Sequence, residues 1–293
     1  MQPIARWLVA RPERAVFVLI VTFPLPFTQI LGSSVLVLLV LNSGIARAVQ
    51  VAGIAYAAIL LMTLVTSVPL ATLNQIALTI WLPGVLLALL LLRTRSLTLL
   101  LQISVLAAIL VVVGLTVVVG DSSAYWQEVF KEFAGVLRDA GKQQEAELFI
   151  QLLPYSPYMR GFVVSIGWLL HVAAFLAGYV AYLGLPGKSD GFGRFSDLNF
   201  GRVLALVLAL TSIAATLAGS VWLQNIALLL FAIFWLQGLA LLHWLRAIGR
   251  LPSVVLAAVY VFTVLLGPLL VSAVGLMGYT DAWFNYRPRI ARK

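Results

Sequence analysis

The sequence predicts an all-α fold, a polytopic bundle of transmembrane helices with about eight spans, and three observations carry that expectation. No charged residue lies between Arg47 and Arg93, nor between Arg202 and Arg246. An apolar helix of ~20 residues already crosses the hydrocarbon, so each stretch must cross, turn and cross back. Hydrophobic residues make up 62% of the 293 positions and charged ones 10%, with a mean hydropathy of +1.07. A soluble domain of that composition would expose far too much apolar surface. Residues 35–41 and 86–92 are apolar on every side, whereas a transmembrane barrel strand alternates.

The elements follow in order. The first segment, 15–42, comes after Arg6, Arg11 and Arg14. That basic start resembles a signal peptide, yet the apolar run continues to Leu41 without a small-residue cleavage site, so it reads as an uncleaved membrane segment. Pro24 and Pro26 interrupt it, leaving one kinked helix or two half-helices open. Segments 47–67 and 71–92 divide the first charge-free stretch at Ser67-Val68-Pro69, where proline cannot continue the helical ladder. Segment 96–119 fills the interval from Arg95 to Asp121, and segment 159–184 the interval from Arg160 to Lys188. Segments 202–219 and 221–246 divide at Gly219-Ser220, before Trp222, Gln224 and Asn225, a mix suited to the interface. The last segment, 252–279, is broken at Gly267-Pro268.

One polar segment, 121–153, holds six acidic and three basic residues. Trp126, Phe130, Phe133 and Leu137 recur at helical spacing opposite Glu128, Lys131, Glu132, Arg138 and Asp139. Gly141 ends that helix, and a second short one carries Phe149 and Leu152. Such amphipathic helices rest on the membrane surface as a connector or cover a pocket as a lid. No linker or fixed-period repeat divides the chain, so 1–293 reads as a single integral membrane domain.

The formal net charge of +9 arises from nineteen Lys and Arg scattered through short loops and both tails. Basic residues there anchor helices beside anionic headgroups; membrane lipids, not nucleic acid, are the expected partner. Sidedness conflicts. If 15–42 crosses once, the tails plus 121–160 hold eleven basic residues against eight on the other side. If it is a hairpin, the basic N-terminus joins the basic loops at Arg47, Arg93 and Arg95, 188–202, and Arg246 and Arg250. The basic C-terminus follows only if Gly267-Pro268 is also a reversal.

The chemistry is sparse. There is no cysteine, which excludes disulfides, thiolate catalysis and thiolate-held metals. No Asp, Glu, Lys or Arg falls deep within a predicted span, which argues against proton-coupled pumps, carboxylate-type symporters and membrane enzymes using paired acids or metals. No cofactor is called for. The candidate ligand-binding residues are Trp168, His171, Phe175 and Tyr179, which with Tyr182 share one helix face at steps of three and four. An aromatic wall with one imidazole suits a planar ligand; the competing reading is a helix–helix seam. His243, beside Trp244 and Arg246, reads as an interfacial anchor. Of Gln29, Asn74, Gln75, Gln102 and Gln237, most read as interhelical amide ties; Asn74 and Gln75 lie near a membrane end, where hydration is the alternative. In the loop 184–202, Gly187-Lys188-Ser189 lacks the upstream glycine of a phosphate loop, and Gly191-Phe192-Gly193 lacks the third glycine and preceding strand of a dinucleotide fingerprint.

Three stretches carry a resemblance: Asp190-Gly191-Phe192-Gly193-Arg194-Phe195, Gly238-Leu239-Ala240-Leu241-Leu242-His243, and Asp281-Ala282-Trp283-Phe284-Asn285-Tyr286-Arg287. Together with Pro24-Leu25-Pro26-Phe27 they resemble the YybS-like family of bacterial membrane proteins, a predicted membrane domain of unknown function. That family is distantly similar to the substrate-binding subunits of energy-coupling-factor transporters. The resemblance implies a bacterial inner-membrane location and solute capture, with a transport ATPase module or other membrane proteins as partners. Those subunits often dock through Ala-x-x-x-Ala on the first helix; here Ala48 and Ala52 have that spacing on the second segment, and the first has none. The expected function is small-solute binding or transport by a non-enzyme, and the alternative is a structural or assembly protein without a small-molecule site.

Overall fold

The computed structural model describes residues 2–25, 28–66, 69–189 and 191–291. It is all-helical, at 86% helix, with no strand among the described residues. In chain order the helices are α1 (Gln2–Ala10), α2 (Pro12–Thr22), α3 (Gln29–Ser43), α4 (Ile45–Thr66) and α5 (Leu70–Ile76). Next come α6 (Leu82–Thr94), α7 (Leu97–Val119), α8 (Ser123–Asp139), α9 (Gln143–Gln151) and α10 (Met159–Leu183). The last are α11 (Gly201–Ala218), α12 (Val221–Ala247), α13 (Ser253–Leu266), α14 (Pro268–Phe284) and α15 (Tyr286–Ala291). A π-helical stretch, Ala77–Trp81, joins α5 to α6, and a 3₁₀ stretch, Leu153–Tyr158, leads into α10.

Six stretches among the described residues are long and apolar enough to cross a membrane: Ile45–Thr63, Leu70–Thr94, Leu97–Val119, Leu153–Leu183, Gly201–Ala218 and Val221–Ala247. This is a multi-pass helical membrane protein. The segments expected at 15–42 and 252–279 each divide into two helices, which excludes the single-kinked-helix alternative. At 1.5 Å per residue, α3 with 15 residues and α13 with 14 reach roughly 22 Å, short of a ~30 Å core. The turn expected at Ser67-Val68-Pro69 falls partly outside the described residues; Pro69 precedes α5 as its N-cap.

The chain packs as two compact units. The first comprises Met1–Leu101 and Trp168–Arg194. Its hub is α3, apolar all round and therefore buried all round; Val35 through Leu41 are each buried. Small residues let neighbouring backbones reach it. A Cβ on Gly84 of α6 would stand 2.2 Å from Ser33 Oγ, and one on Gly178 of α10 would stand 2.5 Å from the Ser34 carbonyl. Gly32 of α3 lies against Thr22 and Leu19 of α2. Residues 19 and 32 meet only if the chain doubles back between them, so α2 and α3 form a hairpin. Side chains satisfy the carbonyls freed at its turn: Thr28 Oγ1 donates to Thr22 O at 2.9 Å, and Gln29 Nε2 to Phe23 O at 2.8 Å. Pro26 and Phe27 lie outside the described residues. Phe23 meets Trp81 edge-on, with ring centroids 5.7 Å apart, about midway along Leu70–Thr94. Phe23, just after α2, is therefore level with the middle of that stretch, and α1 returns to Gly184 at the end of α10.

The second unit comprises Gln102–Gly167 and Phe195–Lys293. Its hub is α12, again buried on all sides from Leu229 to Leu242 apart from a few flanking positions. Helix α14 crosses it backbone to backbone: a Cβ on Gly238 would be 2.0 Å from Val274 O, and one on Gly278 2.0 Å from Phe234 O. Leu256 of α13 packs with Val274 of α14 and with Leu239 and Leu242. Gly267, at φ +45°, makes the turn between α13 and α14. Helix α13 starts just after α12 ends, while Arg202 Nε at the start of α11 donates to Trp283 O at 3.2 Å at the end of α14. Because α11 and α12 are antiparallel neighbours, both ends of the α13–α14 pair lie at one end of this unit. The polar segment is a helical hairpin, as expected: Gly141 (φ +75°) follows α8, Phe130, Ala134 and Ala146 fill the seam, and Phe133 stacks on Phe149 at 5.6 Å.

Candidate functional site: a polar cavity at the start of α10 and α12

Within the second unit a cavity of about 520 Å³ opens where α7 ends and α8, α10 and α12 begin. Arg160, in the first turn of α10, is only 9% exposed. Its Nη1 donates to Thr116 Oγ1 at 2.8 Å and its Nη2 to the Gly120 carbonyl, so it binds the frayed end of α7. Asn225 of α12 fixes α10 beside it. Its Oδ1 accepts from Gly161 N at 2.8 Å, and its Nδ2 donates to Pro157 O at 3.1 Å and Val221 O at 3.0 Å. Only glycine fits at 161, because a Cβ there would lie 2.7 Å from the Asn225 backbone.

Trp222 and Pro157 supply apolar wall, and Ser122, Ser123 and Ser220 supply hydroxyls. Ser220 is the N-cap of α12, with the extended backbone of a cap, but it makes no capping bond; its Oγ is buried without a partner. Asp121 is differently placed. Its Oδ1 accepts from Ser123 Oγ and from Ser123 N at 2.8 Å, and these bonds hold its carboxyl below the ordinary 3.8, the hydroxyl contributing most.

A second polar cluster ties the opposite end of this unit. Gln237 and Asp281 are both fully buried. Gln237 Oε1 accepts from Phe200 N at 2.8 Å, and its Nε2 donates to Asp281 Oδ2 at 3.0 Å. Asp281 Oδ1 accepts from Tyr286 N at 3.1 Å, Arg287 lies 3.7 Å from Oδ2, and Arg287 also donates to the Leu198 carbonyl. Burial lowers the Arg287 pKa, while Asp281 and Asp197 oppose that shift. A hollow of about 570 Å³ beside Leu208, Leu228 and Phe231 is mostly apolar and suits a lipid chain better than a polar solute.

The expected aromatic stripe lies on one face of α10, in the first unit. Trp168, Phe175 and Tyr179 are buried and His171 is half-buried. Phe175 stacks on Tyr179 at 6.1 Å and Tyr179 on Tyr182 at 6.4 Å, while the Tyr179 hydroxyl donates to Gly193 O at 2.9 Å. The cavity around Arg160 is lined by none of these four residues. His243 bonds Tyr260 Oη at 2.9 Å, joining α12 to α13. Four of the five amides bind neighbours: besides Gln29 and Gln237, Gln102 Nε2 reaches Phe200 O at 3.3 Å and Asn74 pairs with Tyr56, while Gln75 is exposed. Sequence reasoning missed Arg160, Asn225 and Ser220 as a set. Asp281 lies just beyond the segment expected at 252–279, although its spacing from Val274, Gly275 and Gly278 continues the buried face of α14.

Comparison with family models, curated proteins and solved structures returned no match to the chain. The fold and site thus define a class, a multi-pass helical membrane protein with a polar cavity at one end.

Proposed function

We propose that this protein captures a small polar solute in the cavity around Arg160, on the side of the membrane away from its basic loops. The observation that carries the reading is the cavity itself, of solute size and lined by a nearly buried guanidinium. A buried charge at a membrane end is costly and is retained where it has a role. About eight segments enter the membrane: six cross, and the α2–α3 and α13–α14 pairs enter and return on the same side. In the first unit that puts Arg6, Arg11 and Arg14 with Arg47, Arg93, Arg95 and Lys188. In the second it puts Arg202, Arg246, Arg250, Arg287 and Arg289 together, away from Lys131, Arg138, Lys142 and Arg160. Under the positive-inside rule the basic ends face the cytoplasm and the cavity faces out. A bacterial inner membrane fits this reading, as does the YybS-like resemblance, which rests on the quoted sequence stretches alone.

The test is thermal unfolding of the detergent-purified chain against a panel of small polar solutes. Capture predicts saturable stabilisation that Trp222→Ala weakens and Trp168→Ala leaves in place. A shift lost only with Trp168→Ala or His171→Ala would move the site to the aromatic stripe. The rival reading, a structural or assembly protein, draws on the burial of Trp168, Phe175 and Tyr179 and predicts no saturable shift at all.

A further inference from the structure

We infer that the solute group held in this cavity is a singly charged oxyanion, a carboxylate or a phosphodiester, anchored between Arg160 and the uncapped first turn of α12. The inference rests on the capture reading and adds the ligand's chemical class.

Three features point the same way. The guanidinium of Arg160 has five N–H donors, and the partners it has, Thr116 Oγ1 and Gly120 O, are neutral acceptors. Among the described residues no carboxylate lies within ion-pair distance of it. The nearest counter-charge is Asp121, which, after its Ser123 bonds, Arg160 helps to hold below its ordinary pKa without forming an ion pair. A cation more than nine-tenths buried and paired only at that distance still offers donors that an anionic ligand can take.

The second feature is the start of α12. The first helical bond there runs from Gln224 N to Ser220 O at 3.1 Å, so the amides of residues 221–223 are its orphan donors. A serine cap ordinarily accepts from the second or third of these; Ser220 does not, and its buried hydroxyl has no partner. The positive end of a 27-residue helix, through Val221, Trp222 and the idle Ser220 hydroxyl, borders the same cavity as Arg160.

The third feature sets the charge. Asp121 borders the cavity with one oxygen occupied by Ser123. A single negative charge offsets Arg160, whereas a second would face Asp121 unscreened. Trp222 and Pro157 then receive the apolar part of the molecule. A free carboxylate solute and a phospholipid headgroup share this chemistry.

The test uses the full chain in dodecyl maltoside micelles, which carry no phosphodiester, at constant ionic strength. Propionate and dimethyl phosphate are added against chloride, succinate and the neutral N-methylacetamide, and thermal midpoints are read. The expected result is saturable stabilisation by the two monoanions, weaker by succinate and absent with chloride. Arg160→Gln should weaken it at least tenfold in Kd, and Ser220→Val, which fills the uncapped turn, severalfold. If Arg160→Gln does not fold, Ser220→Val carries the test, because the hydroxyl it removes has no partner to lose. Stabilisation by phosphatidylglycerol bicelles that depends on Arg160, without a response to soluble anions, identifies the headgroup as the source and supports the inference. Monoanion shifts unchanged in both variants overturn it. A shift with N-methylacetamide alone, sensitive to Trp222→Ala, overturns it while leaving capture standing; no shift with any probe removes both.

Discussion

Replacing Gln237 with leucine separates two views of the buried polar cluster. If Gln237 were an ordinary amide tie between membrane helices, its loss would cost near ~0.6 kcal/mol and rarely above ~2. Here it sits fully buried between Phe200 N–H at 2.8 Å and Asp281 Oδ2 at 3.0 Å, and the only other partner of that oxygen among the described residues is Arg287 at 3.7 Å. Leucine strands the amide and leaves the carboxylate oxygen to Arg287 alone, and a stranded buried polar group costs about 1–3 kcal/mol, more when charged. The expected loss is therefore about 2–4 kcal/mol. Asp281→Asn tests the same chain by polarity, because it can set an amide N–H₂ against Gln237 Nε2, and a flip of Gln237 would set N–H₂ against Phe200 N–H. It also removes the carboxylate 3.7 Å from Arg287, for an expected loss of about 2–4 kcal/mol. Reversible unfolding in mixed detergent, read by tryptophan fluorescence, measures each variant and the double mutant. Coupling above ~1 kcal/mol is expected. Single losses below ~1 kcal/mol, or effects that add within ~0.5 kcal/mol, would show that water or backbone shifts already satisfy these groups.

Gly238→Ala should prevent α12 and α14 from closing, because its Cβ would meet Val274 O at 2.0 Å, whereas Gly167→Ala, with nothing within 4 Å, should be neutral or stabilise by up to ~1 kcal/mol; detergent-resistant folded yield distinguishes them. The chain contains no cysteine, so single cysteines report sidedness cleanly. An impermeant maleimide on intact spheroplasts should label Gln143→Cys and spare Arg250→Cys and Arg289→Cys, and the reverse pattern would refute the orientation. Asp121 has a folded pKa below 3.8, so its contribution at the start of α8 is complete above the unfolded value and is lost only as pH falls through the lowered one. The stability difference between wild type and Asp121→Asn should therefore be full at pH 5 and shrink as pH falls below 3.8; a difference already gone at pH 5 would contradict it.

The class of the fold was legible because it depends on what is missing: 45 residues without a charge cannot sit in water as a helix pair. Pro24 and Gly267 were legible as breaks, yet a break does not carry a direction. The reversal at the first depends on Gly32 admitting Leu19 and Thr22, and at the second on Trp283 meeting Arg202. Gln29, Gln102 and Gln237 could be named as ties because an amide flanked by apolar residues must find a partner. The cavity was not legible. Its parts come from 116–123, 157–160 and 220–225, each an unremarkable helix end, and helical periodicity relates residues only within one helix. Arg160 and Asp281 were hidden by a shared assumption, that a charge marks the edge of the buried segment. In the first or last turn of a helix a charge can be covered by protein while the helix still meets the interface.

The two polar clusters in the second unit look alike in sequence and differ in what surrounds their arginines. Arg287 and Arg160 are both arginines near helix ends, both largely covered, and both donate to a backbone carbonyl of a neighbouring helix or loop. Arg287 has its counter-charge within the fold: Asp281 stands 3.7 Å away, itself fixed by Gln237 and Tyr286 N. The carboxylate of that cluster is satisfied, although Arg287 Nε is buried without a partner, and its removal is a matter of stability. Around Arg160 the bonds visible among the described residues end on a hydroxyl and a carbonyl, and the adjoining helix start keeps its amides and the Ser220 hydroxyl unbonded beside an open volume. What separates the two is the open volume beside Arg160, and it is on that volume and its unbonded donors that the proposal of ligand capture rests.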